Sequence, residues 1–174
     1  MNDKTQQEKR RFMAFIRNFV YGVEDSLVST VGLLSGVAIS DISKSSLLLT
    51  GVVLIFVEAF SMSVGSYLSE FSAEEYMKQS GDEHSEHSFK ASLIMFFSYF
   101  VSGFIPLAPY LILERTPAFI WSIALSIVAL FILGIITTKF SKENMIKSGL
   151  RMAIVGGVAI GLGVMIGKAF LAII

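Results

Sequence analysis

Asp25, Glu58 and Met62 are the residues of this chain best suited to chemistry. Asp25, with Glu24 beside it, and Glu58 lie within or at the edge of long apolar stretches. A carboxylate at membrane depth is costly and by default marks an ion or proton pathway. Met62 follows Glu58 by four residues, which places both on one face of a helix. Carboxylates bind hard and borderline divalent ions, whereas thioethers favour softer ones. The mixed set argues against Mg²⁺ or Ca²⁺ and for a first-row transition metal, with Fe²⁺, Mn²⁺, Co²⁺ and Zn²⁺ all admissible. Met62 by itself would read as packing. Glu58, with no basic residue in an adjacent turn, has no such plain explanation.

Each acid belongs to a stripe. Asp25, Ser29, Gly32 and Gly36 recur at helical spacing, as do Glu58, Ser61, Met62, Gly65 and Ser69. Two such stripes face to face would line a narrow polar route, and small residues let the backbones approach. A second cluster follows: Glu70, Glu74, Glu75, Asp82, Glu83, His84, Glu86 and His87. Glu70 and Glu74 share a face if the helix continues, and His84 and His87, three apart, could share a metal. Acidic loops are mostly just solvated; beside an intramembrane acidic path this one could instead gather cations. Gly156, Gly157, Gly161, Gly163 and Gly167 contain the small-xxx-small pairs 157/161 and 163/167, a helix-packing pattern. No strand precedes them, so they are not a nucleotide-binding loop.

The elements that must carry these residues are membrane helices. Hydrophobic residues make up 53% of the 174, and charged ones only 16%, against about a quarter in a soluble domain. Mean hydropathy is +0.69. The absence of cysteine excludes disulfides, thiolate metal sites and cysteine nucleophiles. A span needs roughly 20 mostly apolar residues. Five stretches qualify: Phe19–Ile39, Leu47–Leu68, Ala91–Leu113, Ala118–Thr138 and Leu150–Ile174. The chain therefore reads as an all-α polytopic membrane protein, a single five-helix domain over 1–174. Pro106 and Pro109 should kink the third span, and no cleavable signal precedes the first.

Lys and Arg set the orientation. Lys4, Lys9, Arg10, Arg11 and Arg17 precede the first span, Lys78 and Lys90 follow the second, and Lys139, Lys142, Lys147 and Arg151 flank the fourth loop. The opposite side holds Lys44, Arg115 and Lys168. The N-terminus and the short acidic stretch 69–90 are thus expected in the cytoplasm and the C-terminus outside, in the plasma membrane if the source is prokaryotic. Residues 1–18, with Phe12, Phe15 and Ile16 at helical spacing among basic residues, read either as an amphipathic interfacial helix or as an extension of the first span.

Tyr21-Gly-Val-Glu-Asp25-Ser and Glu58-Ala-Phe-Ser-Met62-Ser-Val-Gly65-Ser-Tyr67 resemble the first- and second-helix motifs of the vacuolar iron transporter family, which includes iron and manganese transporters of the yeast calcium cross-complementer type. Ile105-Pro-Leu-Ala-Pro-Tyr110 and the segment Ser148 to Gly167 resemble its third and fifth helices. The resemblance implies a homodimer that moves Fe²⁺ or Mn²⁺ out of the cytosol in exchange for protons, along a route between protomers lined by helices one and two. Asp25 and Met62 match pathway positions; Glu70 and Glu74 match the family's cytoplasmic carboxylates loosely. Ser26 stands for the usual glycine and Ser66 for the glutamate of Gly-Glu-Tyr, a loss that Glu58 could offset. The stretch 69–90 is too short for the large metal-binding domain of some members.

A transporter is therefore the expected function, with the bilayer, divalent metal and protons as partners, no nucleic acid and no tightly bound cofactor. The alternative is a non-transporting membrane metal sensor or scaffold, which leaves the intramembrane acids without a purpose. A membrane enzyme needs a nucleophile paired with a base, and no such pairing is legible.

Overall fold

The computed structural model describes residues 3–40, 42–80, 87–141 and 144–173. These form five helices and, among the described residues, no strand: α1 Asp3–Ala38, α2 Lys44–Gln79, α3 Ser88–Ile112, α4 Arg115–Ser141 and α5 Met145–Leu171. Helices α2, α3, α4 and α5 are each long and apolar enough to cross a bilayer. Local chemistry starts them. Ser43 Oγ accepts from the Ser46 amide at 3.1 Å to open α2, and Asn144 Oδ1 accepts from the Ile146 amide at 3.0 Å to open α5. Such caps satisfy amides that have no partner within the helix. Lys44 Nζ donates to Leu113 O at 3.1 Å and Arg115 Nη1 to Ser40 O at 2.9 Å, which ties the α1–α2 and α3–α4 connections together.

α1 is more polar than the other four, and its position explains why. It packs against every other helix. It buries Ser26, Thr30 and Ser35 along with Leu27, Val31 and Leu34. A helix that faces the bundle interior needs no continuous apolar surface, and polar residues collect there. Residues 3–18 run into the rest of α1 without a break. The described part of the 1–18 segment is thus the opening of α1 and not a separate amphipathic helix. α2 likewise continues past Leu68 to Gln79, so Glu70, Glu74 and Glu75 are helical. α3 stays helical through Pro106 and Pro109, and Ser122 Oγ of α4 donates to Pro106 O at 2.7 Å.

The apolar core lies at the α1–α2 connection end, where Leu34, Ala38, Leu47, Ile55, Leu107, Tyr110 and Ala118 pack together. On the other side of α1, the small stripe docks on α5. A Cβ on Gly36 would stand 2.6 Å from Gly163 O, and one on Gly167 would collide with Gly36 O. The 163/167 pair therefore packs inside the chain, against α1. The 157/161 pair has nothing within 4 Å of either Cβ position.

Candidate functional site

α1, α2 and α3 bring the sequence-marked residues into two adjoining groups. In the deeper group, Asp25 on α1 and Glu58 on α2 are near enough for their charges to interact. Among the described residues, no hydrogen bond or ion pair neutralises either acid. Tyr99 on α3 borders them: its ring is buried and its hydroxyl lies 2.7 Å from Ser29 Oγ, within electrostatic reach of both acids. Ser26 Oγ donates to Tyr99 O at 2.6 Å. The hydroxyl at position 26 thus binds α3 to α1 one residue from Asp25. Glu24 is on the same turn, within electrostatic reach of Asp25 and of Arg151 on α5.

The second group lines a cleft of about 530 Å³ between α1, α2 and α3, walled by Asn18, Ser61, Met62, Ser66, Glu70 and Met95. It holds two thioethers, because Met95 joins Met62. Asn18, 4% exposed, organises its floor. Its Nδ2 donates to Ala14 O at 2.9 Å and to Glu70 Oε1 at 3.3 Å, and its Oδ1 accepts from Ser66 Oγ. Glu70 also accepts from the Arg17 guanidinium.

Glu74, one turn on, is committed to α3. Its Oε1 accepts from the His87 and Ser88 amides at 2.7 and 3.0 Å, which places a carboxylate on the positive end of that helix. His87 is buried, with Nδ1 3.2 Å from Glu74 Oε1 and Nε2 3.8 Å from Glu70 Oε2. Glu75 instead pairs with Lys78 at 3.1 Å on an exposed face, a contact worth a few tenths of a kcal/mol. His84 lies outside the described residues, as do Asp82, Glu83 and Glu86. Among the described residues, no three His, Asp or Glu side chains form a ready metal site.

The comparisons with known proteins follow these helices. The VIT family model matches residues 16–87 and 77–168, from the cleft-lining part of α1 to α5. The chain belongs to the vacuolar iron transporter family. Vacuolar iron transporter 1 of Tulipa gesneriana is 22% identical, over 94% of this chain and 91% of the tulip protein. Vacuolar iron transporter 1 of Arabidopsis thaliana is 22% identical over 83% of this chain and 81% of its own length. Vacuolar iron transporter cccA of Arthroderma benhamiae is 34% identical over 45% of this chain and 32% of that protein.

Within this family member, Arg17, Asn18, Met95 and Tyr99 are the site residues that sequence reasoning missed. Asn18 had a signal: it lies seven residues before Asp25 and extends the Asp25–Ser29–Gly32 stripe back by two turns. Met95 and Tyr99 stand four apart in a span that also holds Ser92, Ser98 and Ser102, and only the packing of α3 against α1 shows which way they point.

Proposed function

We propose that the chain exports Fe²⁺ or Mn²⁺ from the cytosol by proton antiport, along a path lined by α1 and α2 at the interface of a homodimer. In this reading α1 is the fifth span. The N-terminus and the α2–α3 connection are cytosolic, the C-terminus is outside, and the chain sits in the plasma membrane if its source is prokaryotic. Membership of a family with named iron transporters supports the substrate class.

The observation that carries the mechanism is that Asp25 and Glu58, carboxylates on neighbouring helices, lie within electrostatic reach of one another and, among the described residues, neither has a cation paired to it. In a low-dielectric interior such a pair is satisfied either by one divalent ion or by protons. Metal leaving and protons entering are then two halves of one exchange. Met62 and Met95 add polarisable sulfur on the cytosolic approach, which favours Fe²⁺ or Mn²⁺ over the harder Mg²⁺ and Ca²⁺.

What one chain leaves uncovered supports the dimer reading. Ser61, Gly65 and Ser69 are exposed on α2 beside Phe60, Val64 and Leu68. A stripe of small and polar residues favours packing against another helix over contact with lipid. A second copy would cover it and complete the coordination shell. Flux into proteoliposomes loaded with a metal-quenched dye tests the reading. Wild type should pass Fe²⁺ or Mn²⁺, and Asp25→Asn and Met62→Leu should cut the rate at least tenfold. Undiminished flux in both variants would refute the path.

A further inference from the structure

We propose that Arg17 is a tethered cation that occupies Glu70 when no metal is present and competes with the incoming ion for that carboxylate. It would thereby set the apparent metal affinity of the path's cytosolic mouth; this rests on the transport reading above. The ion pair stands where two clefts meet. One is the thioether cleft with Met62 and Met95. The other, about 830 Å³, runs beside Lys9, Arg10, Glu74 and Met77, and Arg17 and Glu70 border both.

The two partners are unequally held. The Glu70 side chain is 9% exposed and that of Arg17 is 67% exposed. Asn18 also donates to Glu70 and is itself anchored to Ala14 and Ser66, and none of these three bonds involves Arg17. The carboxylate is therefore prepositioned, and the guanidinium is the movable part. An arginine still this exposed retains much of its hydration, so its pairing is weak and exchangeable; a fully buried pair would act as a permanent lock. Glu74 shows the contrast. Its partners are backbone amides of α3, which cannot swing away. A divalent ion drawing on Glu70 Oε1 would compete with Arg17 for that oxygen, and its positive charge would repel the guanidinium even from Oε2, which faces His87 at 3.8 Å.

The test is equilibrium Mn²⁺ binding to the purified full-length protein, read by the electron paramagnetic resonance signal of free Mn²⁺. Wild type is compared with Arg17→Gln, Arg17→Lys, Glu70→Gln, the Arg17→Gln/Glu70→Gln double variant and Arg11→Gln, a basic residue that borders neither cleft. Arg17→Gln should bind Mn²⁺ about fivefold more tightly, the worth of a weak ion pair. Arg17→Lys, which keeps charge but loses the planar fork, should fall between, and it serves if the glutamine variant does not fold. The gain should vanish in the double variant, which should match Glu70→Gln, and Arg11→Gln should leave the affinity of wild type unchanged. Equal or weaker binding in Arg17→Gln, or a gain that survives Glu70→Gln, overturns the proposal. Binding requires no flux, so a protein that shows this order of affinities yet moves no metal would refute the transport reading and leave the competition standing.

Discussion

Replacing Gly163 by alanine should drive α1 and α5 apart. The added methyl would collide with Gly32 O and stand 2.9 Å from Gly32 C, against the 3.4 Å at which ordinary contact begins. Both neighbours are backbone, so no rotamer change relieves the clash. The helices must separate by about an ångström along the seam, and overpacking of this kind costs roughly 1–3 kcal/mol. Gly161, two residues earlier on the same helix, is the control, because nothing lies within 4 Å of its Cβ position. There alanine gains helix propensity of up to about 1 kcal/mol and meets no obstacle. Thermal unfolding of the detergent-solubilised protein separates the two. Gly163→Ala should lower the midpoint by about 5 °C, at roughly 2–4 °C per kcal/mol for a chain of this size, while Gly161→Ala should hold or raise it. The separation should also reach Asp25, which shares α1 with the seam, and lower metal flux. Equal midpoints for the two variants would refute the close approach of α1 to α5.

Glu74→Gln replaces a charged cap on α3 with a neutral one and should cost about 1 kcal/mol; amide hydrogen exchange should quicken first at His87 and Ser88. Ser66→Glu restores the carboxylate of the family's Gly-Glu-Tyr motif beside Asn18. It should tighten Mn²⁺ binding in the Met62 cleft about tenfold, read by titration of the purified protein. Glu58→Gln removes the acid that faces Asp25 from α2 and leaves Glu24 as its acidic neighbour. It should uncouple metal flux from the pH gradient while flux driven by the metal gradient continues, a difference that two liposome preparations would resolve.

Much of the fold was legible because bilayer thickness constrains it. Apolar length marked five stretches, and four of them correspond to α2, α3, α4 and α5, helices apolar enough to cross a bilayer. The first, Phe19–Ile39, falls in α1, which is more polar because its neighbours in the bundle bury its serines and threonine. The ends of α1 and α2 were harder. Hydrophobicity stops at the membrane surface, but hydrogen-bonded helix does not, so α2 carries Glu70 and Glu74 beyond its apolar stretch. In the site, Asp25, Glu58 and Met62 stood out because acids and thioethers at depth are chemically conspicuous. The partners Glu70 and Glu74 would take were not readable. Arg17 lies 53 residues from Glu70, and a basic residue near a membrane surface ordinarily signals orientation alone. That the α3 amides would claim Glu74 depends on the chain's return from α2 into α3, which no local pattern encodes.

Metal flux measured together with proton flux is the most direct test of the central claim. Proteoliposomes carrying a pH-sensitive dye and a metal-sensitive dye would be given Fe²⁺ or Mn²⁺ on one side under an imposed pH gradient. The account predicts that metal and protons move in opposite directions in wild type and that both movements are lost in Asp25→Asn. Metal flux indifferent to the gradient, or proton movement that persists without metal, would contradict it.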